Sequence, residues 1–511
     1  MSKTFRLLAG MTAALLAACG SSVPPAGTQS AGAQVPALPL NHAGRWITDA
    51  QGRVVILHGT NMVYKRPPYA PDAIGFGEDD AAFLASEGYN NVRLGVIYKA
   101  VEPQPGIYDD AYLARIEATV NTLARHGIVS LLDFHQDLYN EKFSGEGFPD
   151  WAVQDDGLPN QPQTQFTLDY FLIPGLNRSF DHFWNNDPAA DGIGLQDHYA
   201  AAWKHVAERF HDNPAVLGYD LFNEPWPGTQ YATCLLPLVG CPIFDASLAS
   251  FEKRAIAGIR SADPAHLVWY EPNVIFNNGV QTNVGNLGDA QAGFSFHDYC
   301  LQEPFTSSNL ACDPLDDLVF SNAESHVAAT GDALLMTEFG ASDDASNLEA
   351  MVDRADSHMV GWQEWHYCGC NDPTTTGQGD TQAIVLDPAK PPVGDNLKAA
   401  KLAVLSRPYP QAVAGTPKSY GYDAASGTFS LDYLTMRADG QGSFPANAET
   451  IIALPARQYP KGYAVAAHGA SIVSPPGAEY LRLDACPGAS EITVMVSSTG
   501  SNSQDCAAPA S

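Results

Sequence analysis

The sequence predicts an α/β protein, a TIM (β/α)8 barrel followed by a C-terminal antiparallel β-sandwich. Three observations lead there. From about residue 40 to residue 407, short apolar runs alternate with helical patterns close to eight times, the rhythm of parallel βα units. Polar residues recur at the C-terminal ends of those runs, the face on which a barrel carries its chemistry. After Arg407-Pro408-Tyr409-Pro410 the period shortens to two, with Gly and Pro turns between short strands.

The chain has 511 residues, 45% hydrophobic and 16% charged, enough for two or three folded domains. A formal net charge of −30 repels phosphate backbones, so no nucleic acid is expected as a partner. A membrane surface would be met only through a separate device, and one is visible at the N-terminus. Lys3 and Arg6 precede the apolar run Leu7 to Ala18, which is too short to span a bilayer but has the length of a signal-peptide core. The run closes in Leu16-Ala17-Ala18-Cys19, which looks like a bacterial lipobox with Cys19 as the lipidated residue. Residues 1–18 then form a signal peptide, and 19–39, rich in Ser, Pro, Ala and Gly, a lipidated tether. The expectation is an exported lipoprotein anchored at the cell surface or in the periplasm; simple secretion is the alternative. Oligomeric state is not legible.

Setting Cys19 aside leaves eight of nine cysteines, an even number in an exported chain. Cys234 with Cys241, and Cys300 with Cys312, are spaced to close short loops, and Cys486 with Cys506 to staple the C-terminal region. Cys368-Gly369-Cys370 is a tight pair, with a metal site as the competing reading, although the paired Cys and His spacing of zinc sites is missing.

The barrel strands expected are Val54 to Gly59, Asn91 to Val96, Val129 to Phe134, Val216 to Phe222, Leu267 to Tyr270, Phe294 to His297, Leu334 to Thr337 and Gly361 to Trp365. Helical patterns fall at Asp79 to Glu87, Asp109 to His126, His198 to Phe210, Leu248 to Ser261, Leu315 to Ala329 and Asn347 to Met359. A closing helix lies near Asp395 to Leu405. Residues 40–407 are thus assigned to a catalytic barrel and 408–511 to the β-sandwich.

Leu221-Phe222-Asn223-Glu224-Pro225-Trp226-Pro227-Gly228 is the chemical centre of this layout. Pro225 and Pro227 cannot donate ladder hydrogen bonds, so the backbone leaves the sheet and holds Glu224 at its mouth as a candidate general acid. Leu334-Leu335-Met336-Thr337-Glu338-Phe339-Gly340 is a second apolar strand ending in a glutamate. Two such glutamates are what retaining glycoside hydrolysis requires, one to protonate the leaving oxygen and one to attack the sugar. Polar groups close the other strands too. Arg93 lies in the second, Asp133 and His135 end the third, Glu271 the fifth, His297 and Tyr299 the sixth and Trp365 the eighth. Each alone has a plain structural alternative: a helix-capping Glu, a core His or Trp, an Arg that only neutralises a carboxylate. Glu271, without motif context, reads as a decoy.

Arg93, His135, Asn223-Glu224-Pro225, His297-x-Tyr299, Glu338-Phe339-Gly340 and Trp365, in this order and spacing over roughly residues 40 to 405, resemble glycoside hydrolase family 5. Within it, His58-Gly59-Thr60-Asn61-Met62-Val63-Tyr64-Lys65, Asp133-Phe134-His135-Gln136-Asp137 and the Glu224 motif look like the endoglycoceramidases and their relatives. The resemblance implies a retaining β-glycosidase that cleaves glycan from ceramide in a glycosphingolipid substrate, with no cofactor and no metal. Position by position it implies Glu224 as acid/base and Glu338 as nucleophile, with Asn223 on the sugar 2-hydroxyl. Tyr299 and Arg93 would support the nucleophile, and Lys65, Asp133, His135 and Trp365 hold the sugar, with His297 in the same binding set. Competing readings are an endo-β-glucanase, a β-glucosidase acting on steryl glucosides, and a noncatalytic sugar-binding lipoprotein.

Between Tyr139 and Asp197 lies an insertion too long for a simple βα loop, rich in Phe, Tyr, Trp and Leu. Those side chains are expected to divide between a small core of their own and one wall of an apolar groove. In the C-terminal part, Phe429, Leu431 and Tyr433 alternate with Ser430 and Asp432, and Ile492, Val494 and Val496 alternate with Thr493 and Met495. No catalytic cluster appears there, so it reads as an accessory domain.

Overall fold

A computed structural model describes residues 36–234, 239–300, 312–375 and 380–506. The expected signal peptide, Cys19 and most of the tether lie outside the described residues. Three short strands come first: β1 (Asn41–Ala43), β2 (Trp46–Thr48) and β3 (Val54–Val55). Eight parallel strands then close a barrel: β4 (His58–Met62), β5 (Asn91–Ile97), β6 (Val129–His135), β7 (Val216–Asp220), β8 (Leu267–Tyr270), β9 (Ala292–His297), β10 (Ala333–Glu338) and β11 (Gly361–Glu364). Each strand pairs with its sequence neighbour and β11 returns to β4, so the closed sheet has no free edge.

Strand β6 shows how the sequence grades the interior. Val129 and Leu131 join Leu217, Leu267 and Leu335 in an apolar layer at the bottom of the barrel. Two and four residues further on, Asp133 and His135 occupy the polar layers above, because side chains two apart share a face. The alternate residues Leu132 and Phe134 pack outward with the helices. In β7 a register shift against β6 falls at Gly218, where a Cβ would strike the carbonyl oxygen of Leu267. A second shift, between Met336 and Glu338 of β10, sets Glu338 beside His297 of β9.

The first expected barrel strand is corrected. Val54 to Gly59 does not run as one strand; β3 pairs with Tyr409–Val413 of the C-terminal region, and the barrel strand begins at His58. The run is apolar on both faces because it serves two cores, Val54 and Ile56 packing in the sandwich and Val55 and Leu57 under the barrel. Leu40 and Ile47 of the N-terminal hairpin close the same barrel bottom. Asn41 to Val55, assigned by sequence to the barrel, therefore pairs with the C-terminal sheet.

That region is a sandwich of a seven-stranded and a five-stranded sheet. Phe429, Leu431, Tyr433, Ile492, Val494 and Val496 all face inward, while Met495 points out, as the alternation predicts. Its strands pair antiparallel except Ala464–His468 with Ser503–Asp505, which run parallel. Disulfides join Cys234 to Cys241, Cys300 to Cys312, Cys368 to Cys370 and Cys486 to Cys506. The tight pair is thus a disulfide, and His366 beside it has both ring nitrogens engaged, by the Val63 amide and by the Cys368 backbone.

The insertion after β6 carries the helices Phe166–Leu172 and Pro174–Trp184. Phe143, Phe148, Ile173, Phe180 and Phe183 are fully buried against the barrel helices. Phe166, Tyr170 and Phe171 instead line the cleft over the barrel mouth, and Leu168 and Leu172 are exposed beside them.

Candidate active site

Arg93 is the hub, wholly buried on β5. Its Nε donates to Asp220 at 2.8 Å, Nη1 to Glu338 Oε1 at 2.6 Å, and Nη2 to Glu271 at 2.8 Å and to Asn223 Oδ1 at 3.0 Å. Asp133 lies 3.1 Å from the same guanidinium. Burial works against the Arg93 cation, but these carboxylates outweigh it and hold the charge in place. One planar fork thereby fixes four carboxylates from β6, β7, β8 and β10.

Glu338 ends β10 with both oxygens engaged, Oε1 by Arg93 and Oε2 by the Tyr299 hydroxyl at 2.8 Å. Burial pushes its carboxyl above the ordinary range, and Glu224 adds to this, while His297 and Arg93 pull the other way. Glu224 stands across the mouth, its backbone in the left-handed region at φ +47°. Such a conformation in a residue with a side chain is strained and needs outside support. Glu271 supplies it, accepting the Glu224 amide at 2.9 Å. The presumed decoy is therefore a structural part of the site, holding Arg93 with one oxygen and the Glu224 backbone with the other.

His297 links the pair. Its Nδ1 lies 3.0 Å from Glu224 Oε1 and 3.5 Å from Glu338 Oε2, and its Nε2 lies 3.3 Å from Glu271. Burial alone would keep the imidazole neutral, but Glu271 and Glu338 raise its pKa well above the usual histidine value. One oxygen of Glu224, one of Glu338 and a His297 nitrogen all lie within 4.8 Å of one another. That closeness of the nearest oxygens is of the order expected for the carboxyl gap of about 5 to 5.5 Å used in direct attack on the sugar, and short against the roughly 6.5 to 9.5 Å of an inverting site.

On one side the cleft is polar. Lys65 Nζ donates to Asp137 at 2.6 Å and to Thr374 Oγ1 at 2.9 Å, and lies 4.5 Å over the Trp365 ring. The His135 ring stacks against Trp365 with centroids 5.2 Å apart. Burial disfavours the His135 cation, yet Asp133, 2.8 Å from Nδ1, carries its pKa up to about 10. Asp137, buried but next to Lys65 and His135, is held down to about 2. On the other side Phe166, Phe171, Trp226, Val274 and Ile275 form an apolar wall.

All ten predicted residues converge on this mouth, at two depths. Lys65, His135, Asn223, Glu224, Tyr299, Glu338 and Trp365 line the cleft. Arg93, His297 and Asp133 lie beneath it. Asp133 is fully buried between Arg93 and His135 and orients the His135 ring. Sequence reasoning missed Asp137, Asp220, Asn277 and Thr374. Asp137 had a signal in its place in the string after β6, and Asp220 in ending β7; Thr374 and Asn277 sit in loops without a strand-end position.

A profile described as Cellulase (glycosyl hydrolase family 5) matches residues 48–371, and one described as Glycoside hydrolase family 5 C-terminal domain matches residues 407–496. Endoglycoceramidase I of Rhodococcus hoagii is 33% identical over 479 residues, covering 91% of this chain and 89% of that protein. An endoglycoceramidase of Hydra vulgaris is 29% identical over 487 residues, covering 88% and 86%. The solved structure of endo-glycoceramidase II from Rhodococcus sp. in complex with ganglioside GM3 superposes with a TM-score of 0.74 at 29% identity, covering 89% of this chain and 99% of that one. With two carboxylates paired at the mouth of a (β/α)8 barrel, the accessory sandwich behind it and near full-length similarity to these enzymes, the chain belongs to glycoside hydrolase family 5.

Proposed function

We propose that this glycosidase is a lipid-anchored retaining enzyme that hydrolyses the bond between glycan and ceramide in glycosphingolipids. The observation that carries the reading is the junction itself. Glu224 and Glu338 stand at close range where the polar and apolar halves of one cleft meet. The relatives named endoglycoceramidase, and the related structure holding ganglioside GM3, support the same substrate class.

In the first step a Glu338 carboxylate oxygen attacks the anomeric carbon, the glycosidic bond breaks, and Glu224 gives its proton to the oxygen that leaves with ceramide. In the second, Glu224 takes a proton from water, whose oxygen bonds to the anomeric carbon and releases Glu338 as carboxylate. Arg93 and Tyr299 keep the nucleophile aimed throughout. Trp365 offers the sugar an aromatic face, and Lys65, Asp137 and His135 offer it donors and acceptors. The apolar wall takes the alkyl chains, each buried methylene contributing roughly 0.8 kcal/mol.

The deciding experiment incubates the protein with glucosylceramide, galactosylceramide, a ganglioside, a steryl glucoside and carboxymethylcellulose, followed by mass analysis. Intact glycan plus ceramide, with cellulose derivatives untouched, is the expected outcome; cleavage of the steryl glucoside alone, or of the cellulose derivative, would replace this reading. The anchor rests on Lys3, Arg6, the apolar run and Cys19. Among the described residues no helix is long and apolar enough to cross a membrane. Cys19→Ala protein should appear free of membranes with its catalytic activity intact, and wild-type protein found soluble without detergent would remove the anchor.

A further inference from the structure

Asn277 lies in the short turn Val274–Asn278 after β8, on the apolar side of the cleft beside Val274 and Ile275. Its Nδ2 donates to Glu224 Oε1 at 3.1 Å, and His297 Nδ1 reaches that same oxygen at 3.0 Å. With Oε1 engaged twice, Oε2 is the oxygen left to carry the proton. Asn277 itself keeps Oδ1 and a second Nδ2 hydrogen, and neither meets another described side chain. An amide that stays open in a wall of Phe166, Phe171, Trp226, Val274 and Ile275 calls for a polar counterpart, since leaving it covered by alkyl chains would cost a hydrogen bond.

We propose that Asn277 is a specificity-determining residue that reads the polar head of ceramide while it positions Glu224. Ceramide bears a secondary amide on the carbon next to the one carrying the scissile oxygen, and a hydroxyl one carbon further. That oxygen must come within about 2.8 Å of the acid to be protonated. The amide and hydroxyl then fall beside the side chain that already touches the acid. A sterol or a simple alkyl chain offers nothing there. The assignment rests on the ceramide reading of the cleft.

The test compares kcat/KM for wild type and Asn277→Leu on lactosylceramide and on octyl β-lactoside in the same detergent micelles. Octyl lactoside has an alcohol leaving group equally dependent on Glu224 but no amide. Loss of the Glu224 contact slows both substrates; loss of the aglycone contact slows lactosylceramide by a further fivefold to tenfold. Equal losses on the two would mean that Asn277 only positions the acid, and would overturn the proposal. Wild type that cleaves octyl lactoside but not lactosylceramide would remove the ceramide reading and this proposal with it, a pattern distinct from the first. Should the Leu variant fail to fold, as judged by its thermal melt, Asn277→Ala gives the same comparison.

Discussion

Removing one hydroxyl at Tyr299 should move the pH at which this enzyme loses activity. Glu338 must be ionised to attack, and two neutral or cationic donors favour that form, Arg93 at 2.6 Å and Tyr299 at 2.8 Å. Burial, and the adjacent Glu338 charge, raise the Tyr299 pKa well above the usual phenol value, so the hydroxyl is a donor at every working pH. A hydrogen bond to a charged group contributes about 1.5 to 3 kcal/mol. In Tyr299→Phe that stabilisation of the carboxylate disappears while the protonated acid is little affected, and the Glu338 pKa, already raised by burial, rises further. In the transition state the carboxylate still carries much of its charge, so the bond is lost there as well as in the free ionised enzyme, and only the protonated form is spared. The expected profile of kcat/KM against pH, measured with an aryl β-lactoside, therefore has its acidic limb displaced upward. On that limb the loss reaches about 10- to 150-fold, the equivalent of the same energy; above it the loss is smaller, because Arg93 still aims the nucleophile. A uniform loss at every pH, with the limb where it was, would refute the reasoning and reduce Tyr299 to a packing role.

Two further outcomes are expected. Glu224→Ala should slow departure of ceramide or any alcohol by at least about 10²-fold, while an activated aryl glycoside still glycosylates Glu338 and azide restores the second step; equal losses on both substrates without rescue would count against the acid/base assignment. For His135, whose pKa the structure carries from an ordinary value of 6.5 up to about 10, the sign runs toward acid: the stabilisation is fully present below pH 6.5 and disappears as pH rises through about 10. The gap in thermal stability between wild type and His135→Gln should accordingly narrow from pH 6 to pH 10.5, and an unchanged gap would show that His135 is not held as a cation by Asp133.

The barrel was legible because its strands obey one rule, apolar residues buried on both faces and a polar residue where the chain emerges. β6 to β10 follow it closely enough that the strand-end residues could be read off directly, whereas β11 buries Gln363 and Glu364 within the strand. The other exception is instructive. Val54 to Gly59 looked like the first strand because it opens on four consecutive apolar residues, yet a two-faced apolar run is equally what a segment needs when it lies between two cores. Sequence alone cannot tell a strand flanked by helix and barrel interior from one flanked by barrel floor and sandwich. The pairing of Val54 and Val55 with Ala412 and Val413, more than three hundred residues away, is a tertiary fact without a local signal.

Within the site the same limit separates roles from positions. Glu224, Glu338 and the residues around them were found because motif and strand end coincide, but nothing local distinguishes a carboxylate that meets substrate from one that holds another side chain. Asp133 and Glu271 occupy equivalent strand-end places to the catalytic pair, yet both are turned onto Arg93, Asp133 also fixing His135 and Glu271 the strained backbone of Glu224. The choice is made by the guanidinium. A buried cation must be neutralised on several sides, and Arg93 takes its partners from whichever strands come within reach, leaving to catalysis only the carboxylates that keep an oxygen toward the cleft. The second oxygen decides it: those of Asp133, Asp220 and Glu271 go to His135, Ser295 and the Glu224 amide, whereas that of Glu338 meets Tyr299 in the cleft and Glu224 gives Arg93 none, so these two remain available for chemistry.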